Sequence, residues 1–329
     1  MKKMLFVYNP HSGKGLIKHH LAEIIDTFTA MGCDVLAHPT QAVLDANSVV
    51  MREAPNSDIV VCSGGDGTLN ETIRGILSIP EENRPLMGYI PAGTVNDFAS
   101  SLRIPKYMPA AVKCIVNGEP KQLDIGGFND RYFTYIAAFG AFTDVAYMTS
   151  QQLKNIFGTL AYIMEGVKRL GEIKGYKMKI TTDDMEIEDT FIFGMISNSK
   201  SVGGLKRLSV DDVLMDDGIY EGFLIRMPQT LIELQHTINY LIRRELSAPC
   251  FYCFKTKNAR FISEEAVPWT LDGEFGGDHT DVSVTVNHRA IKMLLDPNRG
   301  TELLSDSGDL YITDDVFEYS GYDYGEPES

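Results

Sequence analysis

The first ninety residues alternate short apolar runs with amphipathic stretches of helical period, and this alternation constrains the fold more than any other feature of the sequence. The predicted strands are 4–8, 33–38, 58–63 and 86–90, and the predicted helices are 16–31, 45–53 and 68–77. Strands separated by helices at this spacing imply right-handed crossovers and a parallel sheet that is covered on both faces. We therefore expect an α/β domain whose ligands bind beyond the carboxyl ends of its strands.

After about residue 120 the sequence becomes rich in strand-like runs. These runs are 132–139, 176–180, 189–197, 219–225, 251–255 and 281–287, with turn signals between them. Frequent turns between strands are typical of antiparallel pairing, so we expect a largely antiparallel β-sandwich. Two helices are predicted to interrupt it, at 151–170 and 229–244.

A chain of 329 residues is long enough for two domains. The predicted division is a nucleotide-binding α/β domain at 1–122, completed by a returning segment near 289–300, and a β-rich substrate domain at 123–288. Residues 301–329 contain nine acidic residues and no Lys or Arg. We predict that they form an acidic tail outside both domains.

Charge and hydropathy exclude several classes of function. The net charge of −15 argues against a nucleic-acid partner, because phosphate backbones are bound through an excess of Lys and Arg. No apolar run approaches the roughly 20 residues needed to cross a bilayer, and the N-terminus does not resemble a signal peptide. A cytoplasmic location is expected.

The strongest local signal is the segment Gly64-Gly65-Asp66-Gly67-Thr68, which lies between a predicted strand and a predicted helix. Glycines allow close approach of the backbone, and the N–H groups at a helix start attract anions such as phosphate. An aspartate within a phosphate loop indicates a role with a metal ion or a proton. The alternative is a tight turn in which Asp66 caps the helix.

Two more loops follow predicted strands and have similar chemistry. The first contains Asn9, Ser12, Gly13 and Lys14, of which Lys14 could neutralise phosphate charge; the second contains Gly93, Thr94 and Asn96 at a helix entrance. Neither loop has the GxxxxGK[ST] pattern of a Walker motif. Three strand ends with phosphate-compatible residues predict a nucleotide site in one crevice.

The motifs NPHSGKG, SGGDGTLNE and IPAGTVNDFA, in this order and spacing, resemble those of the bacterial diacylglycerol kinase-type lipid kinases, a family related to sphingosine kinases and NAD kinases. The resemblance extends to about residue 296, since the later segments Leu123-Asp124-Ile125-Gly126, Asp217-Gly218 and Leu271-Asp272-Gly273-Glu274 also fit. It implies an NAD kinase/diacylglycerol kinase-like fold that binds ATP and Mg²⁺.

The resemblance implies a role for each matching residue. The residues implied to bind the nucleotide are Asn9, Ser12, Gly13, Lys14, Gly64, Gly65, Gly67, Thr68, Glu71, Gly93, Thr94 and Asn96. Glu274 is implied to be the general base, Asp66 to organise Mg²⁺ and phosphates, and Asp272 and Asp124 to support that network.

The resemblance also implies a separate structural Mg²⁺ bound by Asp217 and the carbonyl oxygens of Leu214 and Ile219. The sequence alone offers another explanation for Asp217 and Asp272. Asp-Gly is a common hairpin turn, so either aspartate could be a turn residue.

The predicted function is transfer of the γ-phosphoryl group of ATP to the hydroxyl of diacylglycerol or a similar lipid alcohol. Alternatives are an NAD kinase, a sphingoid-base kinase and, from a different class, a non-catalytic nucleotide-binding regulator. A lipid acceptor requires transient peripheral contact with the inner membrane surface. The sequence leaves open whether the chain is a monomer or a homodimer.

Overall fold

The computed structural model describes residues 1–94, 96–140, 161, 164, 171, 173–198 and 214–298. The acidic tail predicted for 301–329 lies outside these residues. So does the helix predicted for 151–170, apart from Ala161 and Met164, which are helical and buried.

The first part of the chain alternates strands and helices as predicted. Its strands are β1 (Lys2–Tyr8), β2 (Cys33–Pro39), β3 (Ile59–Gly64) and β4 (Leu86–Pro91), and its helices are α1 (Ile17–Ala30), α2 (Asp45–Glu53), α3 (Asp66–Leu77), α4 (Asp97–Ser101) and α5 (Met108–Val116). In this part of the sheet the strand order is β4-β3-β1-β2, and every neighbouring pair is parallel. All residues of β3 are buried, as expected for a strand covered on both faces.

The second part is rich in β-strands, also as predicted. Its strands are β5 (Glu119–Phe128), β6 (Arg131–Phe133), β7 (Ile136–Gly140), β8 (Tyr176–Thr182), β9 (Glu186–Ser197), β10 (Tyr220–Arg226), β11 (Phe251–Thr256), β12 (Asn258–Leu271) and β13 (Glu274–Leu295), and its helix is α6 (Leu231–Arg243). Pairing among these strands is antiparallel. The strands β5 and β12 were not identified from the sequence.

A long final strand joins the two parts. The first half of β13 pairs with β12 across a hairpin, and its last residues pair with β5 and, at Met293, with Met87 of β4. The thirteen strands within the described residues therefore form one continuous hydrogen-bonded sheet. The end of β13 lies in the region predicted to return to the first domain, while the domain boundaries themselves stay a prediction.

Two buried hydrophobic clusters stabilise this arrangement. The larger covers both faces of the parallel strands and extends to β13, and the smaller lies among the antiparallel strands around Trp269. The Trp269 ring is 1% exposed and has three aromatic neighbours, Phe128, Phe139 and Phe261, within 5.2 Å between centroids. Among the described residues, no helix has both the length and the apolar character needed to traverse a bilayer.

Candidate active site

Three loops meet at the carboxyl ends of β1, β3 and β4. The Asn9 N–H donates to the Ser63 carbonyl at 2.8 Å, and the Ala92 N–H donates to the Gly64 carbonyl at 2.8 Å. The Ser12 hydroxyl accepts a hydrogen bond from the Gly65 N–H at 3.2 Å. The structure thus brings together the three segments that the sequence predicts to bind phosphate.

Close backbone contact explains two of the glycines in these loops. A Cβ on Gly93 would lie 2.5 Å from the Cα of Gly65, and a Cβ on Gly13 would overlap the Ala92 carbonyl oxygen. Gly13 also has a φ of +56°, which favours glycine. Any larger residue at either position would push the loops apart.

The predicted nucleotide residues in the third loop have different surroundings. Asn96 is 3% exposed, and its side chain binds the loop itself: Oδ1 accepts from the Gly93 N–H at 2.9 Å, and Nδ2 donates to the Gly93 carbonyl at 2.7 Å. Thr94 and, in the first loop, Lys14 are exposed. Asn96 therefore shapes the loop, while Thr94 and Lys14 are accessible to a ligand.

A cavity of about 640 Å³ opens beside these loops. Its lining includes five predicted site residues, namely Asn9, Gly67, Thr68, Glu71 and Glu274. The residues that sequence reasoning missed are His11, Thr40, Gln41, Ala42, Val43, Leu44, Asn70, Arg74, Arg131 and Tyr132. The segment 40–44 follows β2, so the rule that ligands bind beyond strand ends could have identified it.

Glu71 connects that missed segment to α3. Its Oε1 accepts a hydrogen bond from the Leu44 N–H at 2.8 Å, and its backbone carbonyl accepts one from Asn47 Nδ2 at 3.4 Å. Leu44 has a φ of 65°. Glu71 therefore holds one wall of the cavity in position.

Asp66 is the first residue of α3 and lies against the start of α4. Its Oδ2 accepts a hydrogen bond from the Asp97 N–H at 3.3 Å, whereas its Oδ1 is buried and has no hydrogen-bond partner. Burial raises the pKa of Asp66, and backbone N–H groups at the start of α4 oppose this shift. A buried carboxylate oxygen without a partner fits a Mg²⁺ ligand, since Mg²⁺ prefers carboxylate oxygens.

Asp272 forms a two-residue turn with Gly273 between β12 and β13. Both residues have positive φ, at 52° and 84°, as a type I′ hairpin requires. The Asp272 side chain accepts hydrogen bonds from the N–H groups of residues 134, 135 and 136 at 2.7, 3.0 and 3.2 Å, and from Asn70 Nδ2 at 3.1 Å. Burial raises its pKa to about 6.

These bonds give Asp272 both of the functions considered from the sequence, since it is a turn residue and lies at the site. They also explain why the strand predicted at 132–139 is divided into β6 and β7. The N–H groups between the two strands bind the Asp272 carboxylate. Because both carboxylate oxygens already accept hydrogen bonds, Asp272 positions the turn and is poorly placed to bind a metal directly.

Glu274 follows this turn and is exposed to the cavity. Its Oε1 lies 2.7 Å from the position that a Cβ on Gly67 would occupy, in the first turn of α3. Glu274, Asp66 and Asp272 border one small cavity of about 20 Å³. The structure therefore assembles three of the four predicted catalytic acids from two distant segments.

Tyr135 links Asp97 to Asp272 and was missed by sequence reasoning. Its hydroxyl donates to Asp97 Oδ2 at 3.3 Å, and its N–H donates to Asp272. The Tyr135 side chain is 6% exposed, and burial, followed by the charges of Asp272, Asp97 and Asp66, raises its pKa well above the usual value. Because Asp97 and Asp272 are distant from Tyr135 in the sequence, no local pattern identifies Tyr135 as a site residue.

Asp124, the fourth predicted catalytic acid, contacts a different group. It is fully buried and accepts hydrogen bonds from the Gly218 N–H at 2.7 Å, from the Arg289 N–H at 2.6 Å and from His288 Nδ1 at 3.0 Å. Burial raises its pKa. It borders neither of the two cavities described above, so these contacts do not place it in the Glu274 network that the prediction assigned to it.

The predicted structural metal ligand Asp217 lies in the same region as Asp124. Its Oδ1 accepts a hydrogen bond from the Ile219 N–H at 3.0 Å, and burial raises its pKa. Leu214 is half-buried just before this turn. Within the part of the chain that the structure describes, no three His, Cys, Asp or Glu side chains are close enough to hold a metal ion. The metal assignment stays a prediction.

Comparison with known sequences identifies one family, and comparison with solved structures identifies a similar fold. The diacylglycerol kinase catalytic domain family matches residues 3–128. A diacylglycerol kinase of Staphylococcus saprophyticus is 36% identical over 84% of this chain and 90% of its own, and one of Staphylococcus carnosus is 35% identical over the same shares. A solved structure from Bacillus anthracis, named as a candidate diacylglycerol kinase, has a TM-score of 0.72 at 24% identity over 90% of this chain and 98% of its own.

Proposed function

Because the chain belongs to the diacylglycerol kinase family, and is therefore a phosphotransferase with an alcohol group as acceptor, we propose that it transfers the γ-phosphoryl group of ATP to the hydroxyl of diacylglycerol or a similar lipid alcohol. One observation carries the proposal. The Glu274 carboxylate lies against the first turn of α3, at the junction of the large cavity and the small cavity that Asp66 borders.

The nucleotide binds in the large cavity in this proposal. Its phosphates lie against the loops that follow β1 and β3, where exposed N–H groups at the start of α3 attract anions. The rest of the nucleotide lies toward the segment 40–44 and Glu71, which line the same cavity. We propose that Thr94 and Lys14, which are exposed on neighbouring loops, also contact the phosphates.

Asp66 would hold Mg²⁺ through its unpartnered Oδ1. When bound, Mg²⁺ would neutralise the negative charge of the phosphates, as phosphoryl transfer requires. The raised pKa of Asp66 is consistent with this role, because a buried carboxylate without a nearby cation is costly.

Glu274 acts as the general base. It takes the proton of the acceptor hydroxyl as that oxygen forms a bond to the γ-phosphorus, and the bond from the γ-phosphorus to the bridging oxygen breaks to release ADP. The Glu274 carboxylate borders the cavity and is exposed there, so the acceptor hydroxyl can reach it. Asp272 contributes by fixing the turn that presents Glu274.

Asp124 and Asp217 support the site from outside the cavity. We propose that Asp217, with the carbonyl oxygens of Leu214 and Ile219, binds a structural Mg²⁺, and that Asp124 stabilises that turn through its bond to the Gly218 N–H. Burial first, and then repulsion by the Asp124 carboxylate, raises the pKa of Asp217. A bound cation would relieve this repulsion.

A lipid acceptor also determines where the protein works. We propose that it acts in the cytoplasm and contacts the inner membrane surface transiently, because diacylglycerol resides in the bilayer. The product would be a phosphatidic acid, which belongs to phospholipid metabolism. The proposed chemistry needs one copy of the chain only, whether the protein is a monomer or a homodimer.

The test is transfer of labelled γ-phosphate from Mg-ATP into a panel of diacylglycerol, sphingosine, monoacylglycerol, undecaprenol and NAD. Label in diacylglycerol that is lost in Glu274→Ala and in Asp66→Ala, with both variants folded, supports the proposal. Label in sphingosine or NAD instead identifies one of the alternative kinases. Nucleotide binding without any transfer indicates a non-catalytic regulator and refutes the proposal.

A further inference from the structure

Arg131 is a cation that the backbone holds at the proposed reaction site. It begins β6, directly after the turn between β5 and β6. Its Nη1 donates hydrogen bonds to the Gly276 carbonyl at 2.8 Å and the Phe275 carbonyl at 3.4 Å. These carbonyls belong to the two residues that follow Glu274, so Arg131 is fixed relative to the proposed base.

The surroundings of Arg131 are strongly acidic. The small cavity is bordered by Asp66, Asp272 and Glu274, and Arg131 is the one Lys or Arg among its described lining residues. Arg131 also borders the large cavity proposed for the nucleotide. Although three carboxylates share this cavity, the hydrogen bonds given above for the Arg131 side chain go to backbone carbonyls.

A guanidinium has five N–H donors in a planar fork that matches phosphate oxygens. The contacts to Gly276 and Phe275 use Nη1 only, which leaves the donors of Nε and Nη2 for a ligand. Preorganised donors of this kind stabilise charge that develops during phosphoryl transfer. Because hydrogen bonds to the backbone already fix the guanidinium, orienting these donors during the reaction requires little free energy.

We propose that Arg131 is a further catalytic residue that contacts the γ-phosphoryl group during transfer; this inference rests on the proposed function. The acceptor oxygen forms its bond to the γ-phosphorus, its proton passes to Glu274, and the bond to the bridging oxygen breaks with its electron pair leaving on ADP. Arg131 neither gains nor loses a proton. It neutralises charge on the phosphoryl oxygens throughout.

The decisive measurement is the affinity for ATP relative to ADP. Arg131→Gln keeps an amide donor for the Gly276 carbonyl but removes the charge, so it should weaken ATP binding about 10-fold and ADP binding less than about 2-fold. Arg131→Lys keeps the positive charge but not the planar fork of donors. Its affinity for ATP should therefore lie between those of Arg131→Gln and the wild type. Arg260→Gln removes an exposed arginine that pairs with Asp281 on the surface and is the matched control, with both affinities unchanged.

Turnover gives the second readout. Arg131→Gln should lower kcat about 100-fold with an unchanged melting temperature, and added guanidinium ion should restore part of the rate. Equal loss of ATP and ADP affinity together with a lower melting temperature would mean that Arg131 only braces the hairpin, and would overturn the inference. If Arg131→Gln does not fold, Arg131→Lys serves in its place. Wild-type affinities for ATP and ADP together with a wild-type kcat in Arg131→Lys would also overturn the inference.

Failure of the proposed function has a different signature. A wild-type protein that transfers no label to any lipid, yet prefers ATP to ADP through Arg131, refutes the lipid kinase proposal and leaves the γ-phosphoryl contact standing. A wild-type protein that binds neither nucleotide refutes both.

Discussion

Gly67→Ala should separate activity from stability in this protein. Gly67 is the second residue of α3, and glycine in a helix is destabilising relative to alanine by about 0.5–1 kcal/mol. A Cβ at this position would lie 2.7 Å from Glu274 Oε1, whereas ordinary contact begins at 3.4 Å. The flexible end of Glu274 must therefore move by about 0.7 Å or more.

The expected result is a folded protein with impaired catalysis. Glu274 is exposed and can move, so the unfolding free energy should stay equal or rise by up to about 1 kcal/mol. Because a misplacement near 1 Å can cost about 100-fold in rate, kcat for transfer from ATP to diacylglycerol should fall by about 10- to 100-fold. Urea unfolding and labelled γ-phosphate transfer measure the two quantities on the same preparation.

A double-mutant cycle tests whether the effect passes through Glu274. In Glu274→Asp, the carboxylate is one methylene shorter, so Gly67→Ala should have a smaller effect on kcat than it has in the wild type. Wild-type kcat in Gly67→Ala would refute the proposed contact. An equal loss in both backgrounds, with weaker ATP binding, would mean that the added methyl group obstructs the nucleotide.

Three further variants test the supporting structure. Tyr135→Phe removes the hydroxyl that donates to Asp97 and should cost about 1 kcal/mol in urea unfolding, with a lower kcat; an unchanged kcat would contradict the positioning role. Asp272→Ala leaves three backbone N–H groups without their acceptor and should lower the free energy of unfolding by about 4 kcal/mol. The control Asp130→Ala, at an exposed position, should lower it by less than about 0.5 kcal/mol. Burial raises the pKa of Glu221 from 4.5 to about 7, so its contribution to stability should be lost as pH rises through that window, by on the order of 2 kcal/mol. In EDTA, Glu221→Gln should therefore show a shallower fall in stability than the wild type over this window, and identical profiles would contradict the reasoning.

Local sequence patterns predicted the secondary structure of the first part well. The predicted helix 16–31 is Ile17–Ala30, because its apolar spacing and the following Gly32 define both ends. The helix predicted from residue 68 begins earlier, at Asp66. The glycines of the segment suggested a loop, but an aspartate in the first turn is favourable to a helix.

The site was predicted in part, for a physical reason. Parallel strands place their carboxyl ends at one edge, so the loops after β1 and β3 could be assigned to one crevice from the sequence. The contacts between Asp272 and the N–H groups of residues 134–136 join positions more than 130 residues apart, and no local pattern encodes them. Arg131 and Tyr135 were missed for the same reason, since their partners come from β13 and α4.

The central claim is that ATP and a lipid alcohol react in the cavity between α3 and the turn that carries Glu274. Phosphorus NMR of the protein with Mg-ATP and diacylglycerol vesicles tests it most directly, because it observes both products at once. The account predicts ADP and a lipid phosphomonoester in equal amounts, and neither above background with Glu274→Ala. Release of ADP and inorganic phosphate without a lipid phosphomonoester, or equal product from Glu274→Ala, would contradict it.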